Sequence, residues 1–239
     1  MYTEGKSDKN FLSWCLDVWE YQAHFDIIHV EGKDQLFSDG LCKNIKSILN
    51  NEDHRYKQVC IIFDADIKEE SQESDAGFNN KLKHIREKFK EKGIDFPKEQ
   101  IFLFPNNQDD GDLETLLLEI AKHKEIIQCF KRYLKCIECK YIGIKEHHEL
   151  IKNIRKNMLY AYLEVFELQK FFQYEWDINN KKNEENIIID DKGKIKEEHQ
   201  EEYEKLKEVI DFKSKSLIPL KNFLEKSTEN NQKTNPKIF

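Results

Sequence analysis

The sequence predicts an α/β fold: a mostly parallel sheet flanked by helices, with a helical C-terminal extension. Three observations predict it. Apolar runs rich in β-branched and aromatic residues, such as "QVCIIFDAD" and "EQIFLFP", recur in the first half of the chain. Between them, apolar residues return at helical spacing. Beyond about residue 123 the strand signal fades while the helical signal continues. Strands separated by helices form parallel sheets, because a parallel pair needs a crossover connection.

The elements follow in order. "MYT" is a short first strand. "SDKNFLSWCLDVWEYQ" is a helix with Ser7 or Asp8 as its cap and Phe11, Leu12, Cys15, Leu16 and Trp19 on one face. "FDIIHVEG" is a second strand, and Asp34 to Asn50 a second helix with Leu36, Leu41, Ile45, Ile48 and Leu49 inward. "QVCIIFDAD" is the third strand. A third helix within "SDAGFNNKLKHIREKFKEKG" stops at Gly93. "EQIFLFP" is the fourth strand, closed by Pro105, followed by the loop "NNQDDG" and the helix "DLETLLLEIAK". Helices are then expected over Lys124 to Lys140 and Glu146 to Phe172. Next come a loop or small hairpin around "NIII", a solvated helix through "EEHQEEYEKLKEVI", and a short helix "LIPLKNFLEK" packing back on the body. This reading divides the chain into an α/β domain over 1–122, a mostly helical extension over 123–228 and a mobile tail over 229–239.

A chain of 239 residues supports a self-sufficient core without disulfides or structural metal. Its net charge of −7 argues against a protein that coats nucleic acid with broad positive charge, but not against a locally basic groove. The segment 122–158, with Lys131, Arg132, Lys135, Lys152, Arg155 and Lys156, is enriched in cations. The six cysteines fall mostly inside apolar patterns, as reduced core cysteines do. No apolar run approaches the roughly 20 residues that cross a bilayer. Together these point to a cytoplasmic protein with no membrane partner.

The chemistry-bearing signal is acidic and occurs three times, each time after a strand. Glu4 and Asp8 follow the first, in "TEGKSD". Asp64 and Asp66 follow the third, in "FDAD". Asp109, Asp110, Asp112 and Glu114 follow the fourth, in "QDDGDLE". In a parallel sheet these loops open on one edge, where α/β proteins bind ligands. Gathered carboxylates are tolerated when one is protonated or a cation neutralises them. Oxygen ligands select a hard cation such as Mg²⁺ or Mn²⁺, whose common partner is a phosphate.

"EGKSD" after one strand and "DAD" after another resemble the Toprim signature, and "FLFPNNQDDGDLETLL" resembles small stand-alone Toprim proteins related to the OLD-type nucleases. "MLYAYLEVF" and "LIPLKNFL" are similar to the helical tail of that group. The resemblance implies a Toprim-like Rossmannoid sheet and a Mg²⁺- or Mn²⁺-dependent phosphodiester hydrolase. Its expected substrate is nucleic acid, DNA in preference to RNA. On that resemblance, Glu4 is a general acid/base or metal ligand, Gly5 permits a tight turn, and Asp8, Asp64, Asp66 and Glu114 hold metal. Lys156 matches a downstream lysine near a helix start. No Gly-x-x-x-x-Gly-Lys-Ser/Thr run occurs, so an associated ATPase would be a separate chain. A homo-oligomer is compatible with all of this. The competing readings are a non-catalytic Toprim-fold regulatory partner and a nucleotide-sugar glycosyltransferase, whose Asp-x-Asp leaves "EGKSD" and "GDLE" without a role.

Other features have plainer readings. Cys136-x-x-Cys139 near His147 and His148 lacks zinc-site spacing. Phe11, Trp14, Trp19 and Tyr21 read as core and helix-face aromatics, and Asp109 and Asp110 as loop polarity.

Overall fold

Tyr2–Thr3 (β1) pairs in parallel with Ile28–His29 (β2) on one side and with Ile61–Asp64 (β3) on the other. Ile101–Phe104 (β4) pairs in parallel with β3, so the spatial order is β2-β1-β3-β4. The computed structural model describes residues 1–21, 24–50, 55–68, 70, 73–141, 153–172, 187–190 and 194–232. Among these the sheet is wholly parallel, and eight α-helices accompany it: the α/β class that the sequence predicts, with its helical C-terminal part.

The period of two in the strands sorts the core onto two faces. Ile61, Phe63, Ile101 and Leu103 face a cluster that includes Cys42, Ile45 and Ile48 of Asp39–Leu49 (α2) and Ile85 and Phe89 of Phe78–Glu91 (α3). The alternate residues serve the opposite face. Phe104 meets Phe11 of Lys6–Val18 (α1), with ring centroids 6.0 Å apart, and Phe102 meets Phe223 of Ile218–Gln232 (α8) at 5.4 Å. Phe11, Trp14, Phe63, Phe102 and Phe104 are fully buried. Burial of such side chains is worth roughly 1.5–3 kcal/mol each, which lets strands of two to four residues persist.

Several expectations are adjusted. α1 begins at Lys6, with Gly5 at its cap; Asp8 reaches back instead, its Oδ2 accepting the Gly5 amide at 2.8 Å. The single helix expected over Asp34 to Asn50 is broken at Ser38, which is extended (φ −62°, ψ 148°). A 3₁₀ turn, Lys33–Phe37, precedes it and α2 follows. α3 stops as Gly93 predicts: Gly93 (φ 71°) donates to Lys90 O and Ile94 to Phe89 O, satisfying two terminal carbonyls.

The chain forms two compact units, residues 1–116 with 213–239, and residues 117–212. The boundary expected at 122 and the assignment of 213–228 to the extension are thus replaced. α8 belongs with the first unit because Phe223 packs on Phe102 and Ser227 Oγ lies 3.5 Å from Cys60 Sγ. Within that unit Tyr21 also donates to Glu225 Oε1 at 2.8 Å. α8 continues to Gln232, past the expected start of the tail, and 233–239 lie outside the described residues.

The second unit contains Lys124–Tyr141 (α5), Ile154–Glu164 (α6) and Gln200–Val209 (α7). Its core includes Leu159, Tyr162, Leu163, Ile188, Leu206 and Ile210. Tyr162 donates its buried hydroxyl to Val209 O at 2.6 Å, and Ala121 bridges Ile210 antiparallel. The hairpin expected near "NIII" is present as an antiparallel bridge between Ile189 and Ile195. Among the described residues no helix is long and apolar enough to cross a membrane.

Candidate functional site

The sheet order places a crevice where α/β sheets bind ligands. α1, which follows β1, lies on one face, while α3, which follows β3, lies on the other. The chain therefore diverges between the carboxyl ends of β1 and β3, at a topological switch point. Glu4 is the residue after β1 and Asp64 is the last residue of β3, so both stand at this point.

Asp64 is the centre of the acidic cluster. Its Oδ1 accepts the Leu113 amide at 2.9 Å, at the start of Leu113–Ile120 (α4). A helix N-terminus supplies unsatisfied N–H groups and partial positive charge to such an acceptor. Even so, burial pushes the Asp64 carboxyl well above the usual aspartate range, and the charges of Asp8, Glu114, Asp112 and Glu4 push it further. Two segments far apart in sequence, 4–8 and 112–114, thus act on one carboxyl group. Asp112 itself caps α4, its Oδ1 accepting the Thr115 amide at 2.8 Å.

Asp66 has different partners. The period of two predicts that it faces the same way as Asp64. Instead it takes a left-handed backbone (φ 61°), bridges Gly111 antiparallel, and places its Oδ2 2.6 Å from Lys81 Nζ. Lys81 also lies 3.2 Å from Asp75 Oδ2, and Lys33 Nζ contacts both oxygens of Asp75, at 2.9 and 3.0 Å, as well as Glu73. Burial would raise the Asp75 carboxyl, but Lys33 and Lys81 outweigh it and hold it at about 2. Burial would lower the Lys81 ammonium, but Asp66 and Asp75 outweigh it and raise it.

Glu4 stands between the two groups. Burial raises its carboxyl; Lys81 and Lys33 oppose that rise, while Asp66 and Glu73 add to it. Its charge in turn acts on Asp64. The charges of Glu4, Asp8, Asp112 and Glu114 therefore act on Asp64, and that of Asp66 acts on Glu4. Lys156 belongs to the second unit, where it is exposed on α6 with its Nζ 5.9 Å from the Tyr160 ring centroid. The backbone at position 5 does not require glycine. Gly5 has φ −127°, open to any residue, and a Cβ there would meet Asp8 Oδ2 at an ordinary 3.5 Å. Position 5 contributes its amide.

Lys33, Asp75 and Lys81 are site residues that the motifs do not reveal. One signal exists for Lys81: it falls in line with Ile85 and Phe89 on the apolar stripe of α3, where a cation is out of pattern. Asp110, read from sequence as loop polarity, caps α3 by accepting the Phe78 amide at 2.7 Å. Cys136 is an exposed free thiol on α5, and His147 and His148 lie outside the described residues.

The donor set is all oxygen and strongly anionic, which suits a hard divalent cation. Among the described residues no three carboxylate, histidine or cysteine groups are already drawn together as a metal ion would need. No curated protein and no solved structure matches the chain. Residues 1–229 match the family described as Protein of unknown function (DUF3226), and the chain belongs to that family.

Proposed function

We propose that the chain is a divalent-metal-dependent phosphodiester hydrolase of the OLD-like Toprim type, acting on nucleic acid, with DNA as the preferred substrate. One observation carries this reading: carboxylates from the β1 and β4 loops act on the buried Asp64, at the end of β3 and the switch point of the sheet. Concentrating negative charge on a carboxyl that burial already disfavours is costly, and a cation relieves it. Asp64, Asp8, Glu114 and Glu4 would hold Mg²⁺ or Mn²⁺. When bound, the metal supplies an activated water and charge stabilisation at phosphate.

The chain's own groups have separate tasks. The Leu113 amide orients Asp64, and Asp112 fixes the helix end that presents that amide. Glu4, whose carboxyl is raised by burial, is suited to hold and release a proton beside the reacting phosphate. A separate ATPase chain and a role in phage defence or genome maintenance complete the proposal by analogy with the OLD-type group. A cytoplasmic setting suits the free thiols of Cys15, Cys42, Cys60, Cys129 and Cys136. Cleavage of plasmid DNA with Mn²⁺, lost in Asp64→Ala, is the expected result. Absence of cleavage with any divalent metal overturns it.

A second reading has its own observation. The tie between Asp66 and Lys81 removes one Asp-x-Asp carboxylate from the donor set, as a non-catalytic regulatory partner that keeps the fold would allow. Retained cellular function in Asp64→Ala, together with capture of a stable partner chain, would favour it.

A further inference from the structure

Lys81 is the residue whose placement the proposed chemistry leaves unexplained. Its side chain is 1 % exposed, on the stripe of α3 that also carries Ile85 and Phe89. A lysine at such a position is tolerated only when its charge is paired. It is paired twice, with Asp66 at 2.6 Å and Asp75 at 3.2 Å. Lys33, from the 3₁₀ turn that precedes α2, holds Asp75 from its own side.

The acidic edge is therefore divided. Asp66, Asp75 and Glu73 share the two ammonium groups of Lys33 and Lys81. Asp64 is bound instead by the α4 amide, and after burial the strongest influences on it are carboxylates. Glu4 borders both halves.

The geometry points to Lys81 as a positioning residue that stands in for a second divalent cation. Its ammonium occupies Asp66, so the chain offers one metal site, on the Asp64 side, where the Asp-x-Asp pattern alone suggests two. An ammonium fixed on a helix supplies positive charge without exchangeable ligands, and it holds Asp66 whether or not metal is present. The inference rests on the metal reading above.

The test is Mn²⁺ binding to the full chain, followed by loss of the free-ion electron paramagnetic resonance signal. The expected result is one Mn²⁺ per chain, kept in Asp66→Asn and lost in Asp64→Asn, with a second Mn²⁺ gained in Lys81→Met. Lys81→Met leaves Asp66 without its counter-ion and Asp75 with Lys33 alone; if it does not fold, the Asp66→Asn arm decides alone. One Mn²⁺ that Asp66→Asn abolishes overturns the role of Lys81 and leaves the metal reading standing, as do two in the unaltered chain. No Mn²⁺ bound at all overturns both.

Discussion

The backbone amide of Leu113 donates to Asp64 Oδ1 at 2.9 Å, joining the start of α4 to the end of β3 across 49 residues. The bond needs an oxygen acceptor but not a charge. Asp64→Asn keeps the acceptor and removes an anion that burial and four neighbouring carboxylates disfavour. Without divalent metal, Asp64→Asn is expected to stabilise the fold by about 1 kcal/mol while abolishing Mn²⁺-dependent cleavage, the trade-off common at functional sites. Chemical unfolding in EDTA measures the first effect. A loss of stability would mean that the native state favours the charged carboxylate.

The same shifts set the response to pH. Asp64 and Glu4 ionise at higher pH in the folded than in the unfolded chain. Above their ordinary values the native state binds the extra protons, so their contribution to stability falls as pH rises through that window. Asp75, held at about 2, works in the other direction: its contribution is present above the ordinary aspartate value and is lost as pH falls toward 2. Melting temperature is therefore expected to peak at weakly acidic pH, and Asp64→Asn is expected to flatten the decline above the peak but not the acid limb. Because metal competes with protons for carboxylates, Mn²⁺ should raise the melting temperature more at about pH 8 than at about pH 5. An equal rise at both would count against binding at Asp64.

Lys81 and Lys33 share Asp75 but differ in burial, the Lys81 side chain being 1 % exposed and that of Lys33 21 %. Removing one member of a buried pair leaves an uncompensated charge, so Lys81→Met is expected to cost about 3 kcal/mol. Lys33→Met leaves Lys81 on Asp75 and acts near the surface; its expected cost is about 1 kcal/mol or less. Urea unfolding of the two variants ranks them. The reverse ranking would place the weight of the network on Lys33.

What the sequence makes legible is local. The apolar run that ends at Asp64, the stop at Gly93, and the acids after three strands all follow from neighbours a few residues apart. In a parallel sheet those acids share an edge whatever the strand order, which is why Glu4, Asp8, Asp64 and Glu114 could be named together. What the sequence hides depends on distant partners. Asp66 departs from the strand because its backbone answers to Gly111 and its carboxylate to Lys81. The break at Ser38 has a local sign in the Ser-Asp-Gly run, yet helical periodicity on both sides conceals it. The sequence reading has "LIPLKNFLEK" packing back on the body, but its partners Phe102 and Cys60 lie more than 100 residues earlier, and no periodicity records which residues it meets.

Gly77 and Gly40 give opposite expectations for one substitution. Gly77 has φ 95°, donates its amide to Ala65 O at 2.8 Å, and accepts the Lys81 amide at 2.8 Å. A Cβ there would lie 3.0 Å from Asp110 Oδ2, the side chain that caps Phe78. Gly77→Ala therefore strains the backbone and disturbs the cap that sets the start of α3, and with it the position of Lys81; the expected cost is about 1–3 kcal/mol. Gly40 lies in the first turn of α2, and a Cβ there meets nothing within 4 Å. Gly40→Ala is expected to stabilise by up to about 1 kcal/mol, through a less flexible unfolded chain and better helix propensity. Urea midpoints should move down for the first variant and up for the second. If Gly77→Ala unfolds with the midpoint of the unaltered chain, the left-handed turn between β3 and α3 does not fix Lys81 against Asp66.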